Sequence, residues 1–200
     1  MSIVEINAVQ ELTRVQRWSH YITLIIALIA LIAGINARNS AFSTNVSFTN
    51  IQAGLLIRYP ENWLRDENSD EYLVRVRDMT RVGYKTTIQI GIDPISENTD
   101  AWNILLARSL RLANLATYRP FEIEPDVALP NDISGARMVY TFTATDPNPS
   151  LESLPTVVIG VDVVTIRRGQ AISITFLTDA RTYQEDIEIF DRFLETLEFQ

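Results

Sequence analysis

Residues 156–177, TVVIGVDVVTIRRGQAISITFL, decide the fold. The first half, residues 156–166, is apolar on both faces of an extended chain, with Asp162 as its single formal charge. A strand with one wet face alternates apolar and polar residues, whereas a strand apolar on both faces has to be covered on both. Arg168-Gly169-Gln170 then makes a tight turn, and residues 171–177 return as a second strand. Gly is well suited to such a turn because it tolerates the left-handed backbone that short hairpin loops require. The pair is therefore expected at the centre of a sheet, with a layer of structure on each side.

Working outward, further strands are expected at residues 55–59, stopped by Pro60, and at 72–78, 87–92 and 136–145. In the second of these, Arg75 and Arg77 fall on one face and Val74 and Val76 on the other; in the third, Ile88, Ile90 and Ile92 share a face. Two helices interrupt the pattern. One begins near Thr99 or Asp100, both suitable caps, and runs to about residue 116, with Trp102, Leu105, Leu106, Leu112, Ala113 and Ala116 as its apolar stripe. The other covers residues 183–198, where Ile187, Phe190, Leu194 and Leu197 recur at steps of three and four, and Glu185, Asp186, Glu188 and Asp191 stay outside. Strands joined mostly by short turns, with two helices inserted, give an α+β fold: an antiparallel sheet flanked by helices, layered as an α/β/α sandwich.

The N-terminal part differs in kind. Residues 18–37, WSHYITLIIALIALIAGINA, carry no formal charge with His20 neutral. At about 1.5 Å per residue they cover about 30 Å as a helix, the hydrocarbon thickness of a bilayer. Trp18 and Tyr21 mark one end, as aromatic rings do at the headgroup layer, and Ala27, Ala30 and Gly34 form a small-residue face at steps of three and four. Arg14 and Arg17 precede the segment and Arg38 follows it, a bias that puts residues 1–17 in the cytoplasm and the rest outside. A cleaved signal peptide is the rival reading, but its basic leader would have to run from residue 1 to residue 17. No Cys follows, so a lipoprotein anchor is excluded. Before the segment, Ile3, Ile6, Val9, Leu12 and Val15 recur every three residues; an amphipathic cytoplasmic helix and a simple extension of the spanning helix both fit. Residues 38–50, rich in Asn, Ser and Thr, are expected to be a linker that enters a strand near residue 46, and residues 51–200 the outer domain.

Composition narrows the chemistry. The chain has 200 residues, no Cys, one His and a net charge of −8. The absence of Cys removes disulfides, Cys-ligated zinc, iron–sulfur clusters and covalently attached haem. The acidic balance argues against nucleic acid, which needs a basic footprint. The charge is also split: residues 39–200 hold 14 basic and 23 acidic groups, a net of −9, while residues 1–38 are slightly basic. Asp66, Asn68 and Asp70 imitate the start of a calcium loop, but Glu71 and Arg77 stand where Gly and Glu are needed, so a solvated acidic turn is expected. Glu122, Glu124 and Asp126, between Pro120 and Pro125, are expected on an exposed strand or loop. No Gly-rich phosphate loop occurs, and neither His20 nor Lys85, the one lysine, has a visible catalytic partner. The expectation is a non-catalytic chain with no cofactor and no metal. One surface feature stands out: Arg75, Arg77, Arg81 and Lys85 follow one another closely, a candidate docking patch for an acidic subunit or anionic lipid headgroups.

The order of motifs resembles that of PsbP-like domains. Gly54-Leu55-Leu56-Ile57-Arg58-Tyr59-Pro60-Glu61-Asn62-Trp63 is similar to their opening G-x-x-I-x-Y-P-x-x-W, and the likeness extends to residues 87–92, to Gly135-Ala136-Arg137 and to the ending with Phe190, Phe193, Leu194, Leu197 and Phe199. The resemblance implies that Tyr59, Pro60 and Trp63 close a turn against the core and that the terminal aromatics pack the last helix. It also implies a binding or stabilising role: a single-span accessory subunit of a bacterial electron-transport complex, such as a photosynthetic assembly or alternative complex III, with the lipid bilayer and other subunits as partners. An exported, anchored binding protein for a lipid or small apolar ligand is the alternative.

Overall fold

The computed structural model describes residues 14–42, 45–51, 54–69, 71–96, 98–130, 133–145 and 154–199. Residues 1–13, and with them most of the expected cytoplasmic segment, lie outside that set, as does Asp70. The chain divides into two units, Met1–Thr44 and Asn45–Gln200.

The first unit holds one helix, α1 (Arg14–Phe42), of 29 residues. Every side chain described at residues 18–34 is exposed, among them Trp18 at 68% and Leu24 at 67%. Among the described residues no helix is long and apolar enough to cross a membrane: residues 18–34 alone give about 25 Å at about 1.5 Å per residue, short of the roughly 30 Å hydrocarbon layer. The helix also overruns the expected linker, continuing through residues 38–42.

The second unit contains β1 (Asn45–Asn50), β2 (Leu55–Pro60), β3 (Leu64–Ser69), β4 (Tyr72–Arg77), β5 (Thr87–Pro94), α2 (Ala101–Leu112), β6 (Arg119–Leu129), β7 (Ile133–Ala144), β8 (Thr156–Arg167), β9 (Gln170–Asp179), α3 (Tyr183–Glu195) and β10 (Glu198–Phe199). Seven strands form an antiparallel sheet in the order β3-β4-β5-β9-β8-β7-β6, and β1-β2-β10 form a smaller one. The quoted hairpin is β8–β9, at the middle, and its turn places Arg168 at φ 52° and Gly169 at φ 72°. Two left-handed residues in a two-residue loop match the right-handed twist of the strands they join.

Register aligns the two faces. Val76, Ile88, Phe176 and Val161 are successive cross-strand partners and all are buried. This face is covered by α3 and by β2, through Phe190, Phe193, Leu194, Leu55, Ile57 and Tyr59, with the Phe176 and Phe190 rings stacked 4.9 Å apart. The opposite face carries Ala136, Met138, Tyr140, Val158 and Val164 under Leu105 of α2. The sandwich is therefore as expected, except that a three-stranded sheet shares one outer layer with α3.

Several boundaries depart from the sequence reading. The strand expected near residue 46 is β1, so the outer unit begins at Asn45 rather than at residue 51, and Val46 and Phe48 pack on its core. The acidic turn is strand β3, where Asp66 meets Arg77 at 2.6 Å. α2 stops at Leu112, where the Leu115 N–H closes a turn on the Leu112 carbonyl at 2.8 Å, and of its stripe Leu105 alone is fully buried. α3 stops at Glu195, where Thr196 Oγ1 donates to the Phe193 carbonyl at 2.8 Å and accepts from the Arg58 N–H at 3.1 Å, releasing residues 198–199 to pair with β2. Tyr59 and Trp63 are buried around the turn in which the Trp63 N–H donates to the Pro60 carbonyl at 3.0 Å.

One buried carboxylate fastens α3. Asp186, expected on the outer face of α3, is instead wholly buried: it accepts hydroxyl hydrogen bonds at Oδ2 from Thr86 (2.9 Å), Thr178 (2.5 Å) and Thr182 (2.8 Å), and its Oδ1 is paired with the Arg81 guanidinium. Removing the carboxylate takes the acceptor from the buried hydroxyls of Thr86 and Thr178, at about 1–3 kcal/mol for a buried polar group left unsatisfied, whereas Arg81, 31% exposed, keeps Asp78 and Glu185. Asp186→Ala is expected to lower the unfolding free energy by about 2–3 kcal/mol in a urea titration. Gly160→Ala is expected to be destabilising as well, because its Cβ would lie 2.3 Å from Cζ of Tyr140.

Candidate functional site

The site is the part of the sheet that α2 leaves open. α2 begins at Asp100, whose side chain accepts from the Asn103 N–H at 2.7 Å, and it packs over β7 and β8. Arg108 pins it there. Its Nε is 3.2 Å from Oδ2 of Asp162, and its Nη2 donates to Oγ1 of Thr175 at 2.8 Å. Burial works against the charge of Arg108, yet the field and hydrogen bond of Asp162, with Tyr140 and Asp93 adding less, raise its pKa above the ordinary value. Asp162 is fully buried, and its Oδ1 has no hydrogen-bond partner among the described residues.

Beyond Arg108, the same face continues over β9, β5 and β4, with no helix on it among the described residues. Cross-strand partners lie there in two rows, Arg77-Thr87-Leu177-Gly160 and Arg75-Gln89-Thr175-Asp162. A groove of about 960 Å³ follows the first row. Arg75, Arg77 and Lys85 form its cationic side, Leu154, Pro155 and Val157 its apolar side, and Tyr84 is part of the lining. Among the described residues Asp179 is the only carboxylate in the lining, and Arg181 binds it at 2.6 Å and holds its pKa below the usual carboxylate range.

The cations are partly occupied. Arg75 lies over the Tyr72 ring at 3.9 Å, donates from Nε to Gln89 at 3.2 Å and has exposed Glu71 at 3.9 Å. Arg77 donates from Nη2 to Asp66, while its Nε is buried with no hydrogen-bond partner among the described residues. Lys85 donates to the Arg81 carbonyl. Of the four cations grouped from sequence, Arg75, Arg77 and Lys85 meet in the groove and Arg81 does not. Arg81 turns to α3, to Asp186 and, at 3.8 Å, Glu185. The sequence reading missed Tyr84, Arg181 and residues 154–157, which are distant in sequence and meet only through the β5–β9–β8 pairing.

The remaining candidates fall elsewhere. Trp18, Tyr21, Ala27, Ala30 and Gly34 all lie on α1, exposed. Asp126 accepts from Ser134 at 3.1 Å, and Glu122 and Glu124 sit on β6 opposite Val139 and Arg137. Among the described residues no group of three or more His, Cys, Asp or Glu side chains is arranged to hold a metal ion.

Tyr84 reports on the groove. Burial pushes its phenol up to about 12, with Arg75 pulling the other way. An unfolded tyrosine titrates near 10. The neutral ring's contribution to stability is therefore complete below about pH 10 and is lost as pH rises towards about 12. Urea midpoints measured from about pH 9 to about pH 12 are expected to fall less steeply in Tyr84→Phe, with Tyr140 and Tyr118, also raised by burial, supplying the remaining slope.

No family model and no curated protein matches the sequence. Solved structures do match the fold. Cyanobacterial PsbP (CyanoP) from Synechocystis sp. PCC 6803 aligns at TM-score 0.56 and 13% identity, over 78% of this chain and 92% of its own. LpqN of Mycobacterium tuberculosis, described as involved in cell envelope biogenesis, aligns at 0.53 and 12%, over 73% and 83%. The Saccharomyces cerevisiae Ran-binding protein Mog1p aligns at 0.51 and 8%, over 78% and 95%. At such identities the likeness concerns architecture: the domain that follows α1 has the PsbP-like fold.

Proposed function

We propose that this chain is a non-catalytic, single-span accessory subunit that stabilises a larger membrane complex, an electron-transport assembly of bacterial respiratory or photosynthetic type. The observation that carries the reading is α1. Its described side chains at residues 18–34 are all exposed and nearly all apolar, and nothing in the described chain covers them. Exposed apolar surface on that scale calls for lipid or partner helices. With Ile35, Asn36 and Ala37, which continue the same helix, the uncharged segment reaches about 30 Å. Thr23 satisfies its hydroxyl on the helix itself, donating to the Ser19 carbonyl at 2.9 Å, as a polar group surrounded by hydrocarbon must. Trp18 and Tyr21 sit at one interface, and Arg14 and Arg17 keep the N-terminus cytoplasmic, so the PsbP-like domain stands on the periplasmic side of the inner membrane.

Ala27, Ala30 and Gly34 would let a neighbouring helix approach closely, and no side chain lies within 4 Å of a Cβ built on Gly34. A free-standing anchored protein that binds a lipid or small apolar ligand is the second reading, favoured by the apolar side of the groove. Native electrophoresis of mildly solubilised membranes separates the two. The chain is expected in a band far above its own mass, and migration as a lone 22.7 kDa species would overturn the subunit reading. Ala27→Ile combined with Gly34→Ile is expected to remove the chain from that band while leaving it in the membrane fraction.

A further inference from the structure

The groove between β4 and the start of β8 is polarised across its width, and that polarity identifies a ligand class. Arg75 and Arg77 stand on β4, Leu177 on β9 and Val157 on β8, so charge gives way to apolar surface along the strand order β4-β5-β9-β8. Three strand spacings of about 4.8 Å separate the two sides, about 14 Å in all. We propose that this groove binds a single-chain anionic amphiphile, its carboxylate or phosphate head held by Arg75 and Arg77 and its hydrocarbon chain laid across Leu177 towards Val157. This goes beyond the subunit reading and does not depend on it.

Three features favour that occupant. Among the described lining residues, Arg75, Arg77, Lys85 and Arg181 face one carboxylate, Asp179, and Arg181 already neutralises it, in a domain that is acidic as a whole. Asp66 and Glu71 reach Arg77 and Arg75 from outside the lining, yet the Arg75 and Arg77 side chains stay 27% and 34% exposed, leaving both guanidinium groups partly open to an anionic oxygen. Charge-assisted hydrogen bonds of that kind are the strong ones. A bare inorganic anion would leave Leu154, Pro155, Val157 and Leu177 idle. An acidic peptide fits less well, because β4, β5, β9 and β8 are each paired on both sides and offer no free backbone edge to an extended chain. The volume, about 960 Å³, is at the upper end of the range for one small ligand.

The test uses the full chain in phosphatidylcholine nanodiscs and dodecanoic acid carrying a photoactivatable diazirine at its ω end, with crosslinked peptides mapped by mass spectrometry. Crosslinks are expected at residues 154–157 and at Leu177. Arg75→Gln combined with Arg77→Gln is expected to reduce them roughly tenfold or more, the worth of one charge-assisted hydrogen bond. Val157→Glu, at a side chain already 52% exposed and so tolerant of change, is expected to do the same from the apolar side. Unlabelled dodecanoate and dodecyl phosphate are both expected to compete, and their ranking tells a carboxylate source from a phosphate one. Competition by dodecanol equal to theirs, crosslinks confined to residues 18–34, or crosslinks unchanged in both variants would each overturn the proposal. So would displacement by hexaglutamate at lower concentration than dodecanoate, which would give the groove to a peptide. None of these results alters the native-gel outcome, so the two readings fail separately.

Discussion

The molecule depends on one constraint: strand β8, at the centre of the sheet, is apolar on both faces, so the sheet has to be covered on both sides of it. The rest of the outer domain can be understood as the means of covering it. On one side α3 and the small sheet bring Phe190, Leu55 and Ile57 over Phe176 and Val161. On the other, α2 brings Leu105 over Tyr140 and Val158. Each helix is also fixed by a buried carboxylate paired with an arginine, Asp186 with Arg81 for α3 and Asp162 with Arg108 for α2. Burial of apolar area is non-directional and leaves a helix free to slide; a buried charge with one partner in reach does not.

The two covers are unequal, and the groove follows from the inequality. A helix with its side chains is about 10 Å across, roughly two strand spacings. α2 is the only helix on its face among the described residues and has 12 residues, so it shields β7 and β8 and leaves β9, β5 and β4 open. The sequence of those strands accommodates the exposure. Val74, Val76, Ile88 and Ile90 point to the closed side, whereas Arg75, Arg77, Thr87 and Gln89 point to the open one.

Much of this was legible because it rests on alternation. The central hairpin, its Gly turn, β4, β5 and the stripe of α3 were all visible as periods of two or of three and four. β3 was not, since an edge strand made of Leu64, Arg65 and Asp66 lacks an apolar face and imitates a turn. The early ends of α2 and α3 were hidden as well, because α2 gives way after Leu112 to a turn closed by backbone bonds and α3 ends where Thr196 bonds Phe193 and Arg58, and both act through conformation and partners rather than composition. Three of the four grouped cations met in one place because Arg75 and Arg77 are two apart on a strand and Lys85 precedes the next. Arg81 was lost to the group for a reason no spacing could show: its partner, Asp186, is over a hundred positions away. The apolar side of the groove was invisible for the same reason.

The long edge strand β6 carries Pro120 and Pro125 and shifts register twice, between Pro120 and Glu122 and between Glu124 and Val127. Proline has no N–H to offer and a bulge breaks the spacing of the rest, so this border cannot template another strand. The sheet is thus closed to growth along that direction, and crowding such domains side by side would not zip them into a continuous ribbon. A protein held at high local density on a surface gains from this, since its concentration there can rise without inviting its own polymerisation.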